Sequence, residues 1–204
     1  CTIQECGDAV RISGSTSLVP VFSGNVLIDN SLNGIVWDGD IAVDQTWGLI
    51  QGGEYVHVVR EATVEVGATL TIDPDVVVKF SDNGYLRVDG DLVAVGTPSS
   101  PIVFTSRKDD TYGGDTNSDG DASSPSSGNW YRLYFYDGSG VFEHCIVRYG
   151  GKYGTSYTEV INDSGDGSLA VRDCDIRECS GGGVLFRDAG THVIENSTIH
   201  DCSS

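Results

Sequence analysis

The 204-residue sequence lacks several features that define common protein classes. It has no Met, and its 12 Lys and Arg residues face 30 Asp and Glu residues, so the formal net charge is −18. A surface of this sign repels nucleic-acid phosphates and anionic lipids, so we expect no nucleic-acid partner. No apolar run approaches the roughly 18 residues of a membrane-spanning helix, so no transmembrane segment is expected. Without Met or a basic leader, the sequence is expected to be a processed segment.

Signals for α-helices are equally scarce. No stretch has amphipathic helical periodicity, and Val, Ile, Thr and Tyr dominate the apolar and semi-polar positions, with 27 Gly residues at many turns. β-branched and aromatic residues favour strands, whereas Gly favours tight turns. The composition therefore predicts an all-β protein. Short strands are expected at 18–22, 25–28, 34–37 and 55–59, and a more regular pattern begins near residue 62.

This regular pattern consists of repeats of 22 to 24 residues. The segments VRDCDIREC and IENSTIHDC align without a gap, and FEHCIVRYG fits the same frame. In the central part, VEVGATL aligned on LRVDGDL makes Val64/Leu86 and Val66/Val88 neighbours, and VVKF aligned on PIVF places Phe80 on Phe104. A period of this length, built only from short strands, predicts one solenoid coil per repeat.

Each C-terminal repeat has a candidate corner at His144, Asp173 or Asn196. These residue types tolerate a left-handed backbone better than most, and such a bend changes which residues of the strand face inward. We therefore expect the positions after each bend to point into the core, with Ile176 stacked on Ile199. Stacked coils should lie about 4.8 Å apart.

The stretch from ATLTIDPDVVVKF through VFEHCIVRYGG resembles secreted right-handed parallel β-helix repeat proteins, a pectate-lyase-like superfamily of microbial surface proteins. The resemblance implies a right-handed parallel β-helix over residues 61–204, with an acidic insertion at about 107–128. Residues 1–60 are expected to form a β-rich cap or docking segment. This architecture serves enzymes, adhesins and structural proteins alike, so the fold alone does not select a function.

The acidic insertion contains the strongest candidate metal site. Oxygen-bearing side chains alternate at Asp115, Asn117, Asp119 and Asp121, with Gly120 at the sixth position, as in the first half of a calcium loop. The twelfth position is Ser126 and offers no bidentate Glu, so Asp109 and Asp110 are expected to supply the missing oxygens. The alternative is a solvated acidic loop without metal.

Two rows of side chains could bind a ligand on the outer surface. Strand alternation places Leu133 and Phe135 inward. It places a row of outward side chains opposite them that could contact a glycan or a partner: Trp130, Arg132, Tyr134 and Tyr136. The alternative is that a loop folds over this row and covers it. Arg148, Arg177 and His200 should form a second, stacked row, with Lys79, Arg87 and Arg172 as further basic candidates for a lyase. Neighbouring acidic residues could instead neutralise that row.

The six cysteines occur without a C-x-x-C motif, which argues against zinc ribbons and thioredoxin-type sites. Equivalent residues on stacked strands lie within the Cα distance that a disulfide accepts. The expected pairs are therefore Cys145 with Cys174 and Cys179 with Cys202, and Cys1 with Cys6 would close a terminal loop. The alternative is a ladder of buried free thiols.

The preferred hypothesis is a non-catalytic structural module at the cell surface or outside the cell, in which calcium is the expected cofactor. The chain stops within a repeat, so partners are expected at its open end. They are either further repeats of a longer chain or another copy docking head-to-tail, which would build a filament. The alternatives are a polysaccharide lyase or hydrolase and a glycan-binding adhesin, each with a polysaccharide partner. Asn162 and Asn196 match glycosylation sequons, which we attribute to chance.

Overall fold

The computed structural model describes residues 1–15, 17, 20–152, 158–187 and 189–202. The described residues form strands and turns and no helix, so none of their elements could cross a membrane as a helix. The strands are β1 (Thr2–Gln4), β2 (Asp8–Ser13), β3 (Val26–Ile28), β4 (Leu32–Ile41), β5 (Gln45–Trp47), β6 (Val56–Val64), β7 (Thr69–Ile72), β8 (Val77–Val88), β9 (Asp91–Val95), β10 (Ile102–Ser106), β11 (Arg132–Phe135), β12 (Ser139–Glu143), β13 (Cys145–Arg148), β14 (Ile161–Asp163), β15 (Leu169–Arg172), β16 (Asp175–Arg177), β17 (Val184–Phe186), β18 (His192–Glu195) and β19 (Thr198–His200).

These strands stack as about eight coils of a parallel β-solenoid. One wall is a six-stranded sheet in the order β18-β15-β12-β9-β7-β5. An eleven-stranded sheet forms the remaining wall, in which the long β4, β6 and β8 each span two arms of a coil. Farther along, β10, β13, β16 and β19 continue the first arm, whereas β11, β14 and β17 continue the second. The expected all-β architecture of stacked parallel strands is confirmed.

The corners form where the sequence predicts them. His144, Asp173 and Asn196 have φ angles of 49°, 51° and 50°, in the left-handed region. Each lies between a strand of the six-stranded sheet and the next strand of the eleven-stranded sheet. The left-handed residue shifts the inward and outward alternation, so that at His144 the core residues are Phe142 before the corner and Cys145 directly after it.

The register is as predicted in the C-terminal coils and only partly in the central ones, where the aligned Leu70 and Leu92 do pair. Ile176 pairs with Ile199 as expected. However, Val64 pairs with Val88 rather than with Leu86, Phe104 pairs with Val78 rather than with Phe80, and Val66 is 79% exposed in a turn. The corner after β6 is two residues longer than the corner after β8, so an ungapped alignment slips by two. A slip of two keeps Val64 and Phe104 on the inward face and changes only their neighbours, whereas Val66 falls in the turn.

Residues 1–60 contain β1 to β5 and the first part of β6, which pair in parallel with one another and with the following coils. Three of the four strands expected in this segment are present. In the first of them, at 18–22, Leu18 and Val19 lie outside the described residues, and 20–22 is not a strand. The domain boundary near residue 60 stays a prediction, and β6 crosses it.

The core runs along the inside of the stack. Aliphatic and aromatic side chains from all arms form one continuous buried cluster. Apolar surface removed from water contributes roughly 25 cal/mol per Å², so this shared cluster is the main force holding successive coils together. A second, smaller apolar cluster of Leu32, Val36, Val56 and Val58 lies outside the stack, on the outer face of β4 and β6. That outer cluster is covered by the acidic insertion.

Candidate functional site

The outer face of the first arm is the part of the molecule where the predicted site residues meet. Its central column runs in register through Val36, Val58, Lys79 and Thr105, and all four side chains are fully buried. These residues point away from the core, so burial requires a cover. The cover is the acidic insertion between β10 and β11.

The insertion reaches back across the stack to the second coil. The backbone N–H of Asn33 donates to the carbonyl of Thr116 (2.8 Å), and its side-chain amide donates to Ser118 Oγ (2.7 Å). Gly113 approaches so closely that a Cβ there would lie 2.4 Å from Val56 Cγ1, and its φ of 68° also favours glycine. The insertion is therefore fitted to the coils beneath it. It is not a loop that projects freely into solvent.

Lys79 is the cation at the centre of this cover. Its Nζ donates to the carbonyl of Gly114 (2.5 Å). Burial lowers the pKa of Lys79 to about 8, an effect that the nearby Asp110, Asp109 and Asp115 carboxylates partly offset. At neutral pH the ammonium group stays charged, and it partly balances the acidic insertion from below.

The predicted calcium ligands lie together in one turn of the insertion. Asp115 accepts the backbone N–H groups of Asp119 (3.2 Å) and Gly120 (2.9 Å). Asp119 Oδ2 accepts the Asn117 amide (2.7 Å), whereas Asn117 Oδ1 and Asp119 Oδ1 are buried and have no hydrogen-bond partner. Asp121 is exposed. Two orphaned oxygens in one turn are what a bound cation would satisfy.

The two expected accessory ligands are engaged differently. Asp109 is buried and accepts the hydroxyl of Thr105 (2.6 Å) with one oxygen and the backbone N–H of Thr111 (3.2 Å) with the other. Its carboxylate is thus committed to the base of the insertion, and it also faces Arg148 Nε (3.7 Å). Asp110 lies near Lys79, and burial raises its pKa. Among the described residues, no three carboxylates of the insertion offer oxygens that all lie within 4.8 Å of one another.

The basic row is present and is neutralised. Arg148 stacks on Arg177, and Arg177 stacks on His200, as the repeats predict. Arg148 pairs with Glu178 (2.8 Å), and Arg177 pairs with Asp175. The further basic candidates are also engaged: Arg87 with Asp89, Arg172 with Glu195, and Lys79 under the insertion.

The outer aromatic row is shorter than predicted, because Trp130 belongs to the core. Its ring is fully buried and stacks on Phe80 with centroids 4.0 Å apart, and its Nε1 donates to the carbonyl of Arg148 (2.9 Å). Strand β11 begins only at Arg132, so strand alternation does not extend back to residue 130. The predicted core positions Leu133 and Phe135 are confirmed.

The remaining members of that row are partly covered. Arg132 is half-buried, and burial lowers its pKa. Tyr134 Oη accepts the hydroxyl of Ser164 (2.8 Å), and its ring lies 6.2 Å from that of Tyr136. Arg87 sits over the Tyr136 ring at 4.5 Å. Of these side chains only Tyr136 is largely exposed, so the surface offers little flat aromatic area.

None of the expected disulfides is formed, because all six cysteines are free thiols. The expected stacking is present: the backbone N–H of Cys145 points at Cys174 Sγ (3.4 Å). Each of these thiols donates to the carbonyl two residues earlier, from Cys145 to Glu143 and from Cys174 to Arg172. Burial raises the pKa of the Cys145 thiol.

Sequence reasoning missed an aromatic cluster near the N-terminal coils. Trp37, Trp47 and His57 stack on one another beside a cavity of about 210 Å³. Trp37 Nε1 donates to His57 Nδ1 (3.1 Å), and burial lowers the pKa of His57 to about 4. The sequence does show several aromatic residues within 37–57, but it does not show that folding brings them into contact.

The fold defines the chain as a parallel β-solenoid. Comparison with known proteins finds no matching family model and no matching solved structure. One similar protein is "Protein bark beetle" of Drosophila melanogaster, with 33% identity over 102 residues. The match covers 48% of this chain and only 3% of that protein, so the chain spans a small fraction of its relative's length.

Proposed function

We propose that the chain is a non-catalytic solenoid module of a cell-surface or extracellular protein, which joins further coils at its C-terminal end. The observation that carries the proposal is the exposure of two apolar side chains on β18 and β19. Ile194 and Ile199 are 43% and 42% exposed, whereas Val171 and Ile176, one coil earlier in the same columns, are fully buried.

The backbone at this end supports the same proposal. Within the described residues, β18 pairs only with β15 and β19 only with β16, so each strand has one free edge. Unpaired strand edges next to exposed apolar side chains favour the addition of another strand. The added coil belongs either to the same polypeptide or to a second copy, whose contact would be head-to-tail and could propagate.

A lyase or hydrolase remains the alternative, and the outer face gives it little support. A polyanionic substrate needs free basic side chains, but the acidic neighbours of Arg148 and Arg177 already neutralise them. The net charge of −18 adds long-range repulsion. Incubation with polyuronate and calcium, monitored by ultraviolet absorbance of unsaturated products, tests this alternative; product formation would replace the structural proposal.

Calcium is proposed as a stabiliser of the insertion. The turn fits the ion because Asn117 Oδ1 and Asp119 Oδ1 are buried oxygens without a partner. Asp115 and Asp121 would contribute further carboxylate oxygens, the ligand type that calcium prefers. Calcium should raise the melting temperature of the wild type but not of Asp119→Ala. The control is Asp166→Ala, in a different acidic turn, which should respond like the wild type.

Sedimentation velocity over a wide concentration range tests the end-joining proposal. Ile199→Asp should abolish any concentration-dependent association, because it replaces one of these exposed apolar side chains with a charge. Val66→Asp is the matched control, since Val66 is exposed in a turn away from that end. A wild type that stays monomeric at the highest concentration would exclude docking between copies. Joining to further coils of the same polypeptide would then be tested by extending the chain.

The extracellular assignment rests on the acidic composition and the six cysteines. Disulfides persist mainly in oxidising compartments, so their redox state in the native protein is informative. Thiol titration of unfolded, unreduced protein purified from its natural source is the direct measurement. Loss of thiols in the native protein would support an extracellular location, whereas the six free thiols that the structure contains, if also found there, would argue against it.

A further inference from the structure

We propose that Glu143, His144 and Asp173 form a binding site for a divalent transition-metal ion of the zinc type. Each residue offers one ligand atom, a carboxylate oxygen or an imidazole nitrogen, and these atoms all lie within 4.8 Å of one another. Glu143 and His144 belong to one coil and Asp173 to the next, so a bound ion would join two coils at their corner.

The backbone holds this corner in a fixed position. His144 and Asp173 are successive left-handed corner residues, with φ angles of 49° and 51°. The N–H of His144 donates to the carbonyl of Arg172 (3.1 Å), and its carbonyl accepts the N–H of Ile102 (3.2 Å). Hydrogen bonds to coils on both sides therefore fix the backbone of His144, and the repeat geometry brings the Asp173 carboxylate within 4.8 Å of its imidazole.

The three side chains are left without partners by their surroundings. Glu143 is in register with Arg172, the nearest candidate cation, but Arg172 pairs with Glu195 (3.0 Å) instead. Within the described residues, no hydrogen bond or ion pair engages the side chains of Glu143, His144 or Asp173. Two carboxylates and an imidazole thus lie close together without a paired cation. Most basic side chains of the molecule are paired with other carboxylates.

The donor set selects the class of ion. Imidazole nitrogen with carboxylate oxygens suits zinc and its first-row neighbours, whereas calcium and magnesium prefer oxygen ligands alone. Zinc bonds of about 2.0–2.2 Å place neighbouring tetrahedral ligands about 3.3 Å apart, so side-chain rotations must bring the present ligand atoms, which lie within 4.8 Å of one another, closer together. Three protein ligands leave a fourth position for water or for a donor from another molecule.

Zinc titration by calorimetry, with calcium in excess to occupy oxygen-only sites, tests the proposal. The wild type should bind one zinc ion at this site. His144→Asn should weaken zinc binding at least about 100-fold, because loss of a ligand exceeds the 10- to 100-fold cost of changes around one. Asn tolerates a left-handed backbone and already occupies the equivalent corner at Asn196, so this variant should fold.

The matched control is His200→Asn. His200 is also close to two carboxylates, Asp175 (3.2 Å) and Asp201 (2.7 Å), and is the competing histidine site. The control should keep wild-type zinc affinity. Glu143→Gln, which leaves the corner residue unchanged, should reproduce the loss if His144→Asn proves unstable. The proposal is overturned if the wild type binds no zinc, or if His200→Asn rather than His144→Asn and Glu143→Gln loses it.

Discussion

The outward-facing column on the first arm consists of different residue types in the two halves of the stack. From the second to the fifth coil it consists of Val36, Val58, Lys79 and Thr105, all fully buried beneath the insertion. The same column continues as Arg148, which is 12% exposed and faces Asp109 of the insertion (3.7 Å), and then beyond the insertion as Arg177 and His200, with side-chain exposures of 23% and 42%. Exposure of the column therefore rises where the cover ends.

This difference shows that coils with the same backbone arrangement can have surfaces of different composition. In the covered half, apolar side chains and one buried cation hold the insertion. In the open half, ion pairs between neighbouring residues occupy the basic side chains. In both halves the chain's own groups occupy the outer face.

The largest effect is expected from a charge in the covered half. Val58→Asp would bury a carboxylate beneath an acidic insertion, and we expect it to lower the free energy of unfolding by about 3 kcal/mol or more. Val66→Asp makes the same change at an exposed turn and should cost no more than about 0.5 kcal/mol. Urea unfolding measures both. Equal losses would mean that Val58 is not covered.

A smaller effect is expected when the buried cation is removed. Lys79→Met keeps the length of the side chain but leaves the Gly114 carbonyl unpaired and the nearby carboxylates unbalanced. We expect a loss of about 1–3 kcal/mol and faster proteolytic cleavage within the insertion at 107–128. Cleavage at the wild-type rate would show that Lys79 does not hold the insertion. Lys152→Met is the control, because Lys152 lies outside the insertion.

The smallest effect is expected in the open half. Arg177→Ala removes a partly exposed ion pair, and such pairs contribute about 0–1 kcal/mol. Raising the salt concentration should shrink even this difference, because salt screens exposed charges. Urea unfolding at low and high salt measures it. A loss as large as that of Lys79→Met would erase the distinction between the two halves.

The corners and the C-terminal register could be predicted from the sequence because both depend on local residue types. His144, Asp173 and Asn196 identify the bends directly, and ungapped repeats align Ile176 with Ile199. The central register failed because a two-residue difference in corner length is invisible in short apolar strands. The return of the insertion to Asn33 was unpredictable for another reason. It is a long-range contact without a repeat pattern, and it also explains why the buried Lys79 was mistaken for a surface residue.

The pH dependence of stability around Lys79 tests the covered outer face most directly. Burial lowers the pKa of Lys79 from 10.5 to about 8, so between these values the unfolded chain holds a proton that the folded chain has released. Folding stability linked to this group must therefore rise with pH above about 8. The free energy of unfolding of the wild type minus that of Lys79→Met should increase from pH 8 upward, since other titrating groups cancel in the difference. A difference that stays constant over this range would contradict a buried Lys79 and the cover above it.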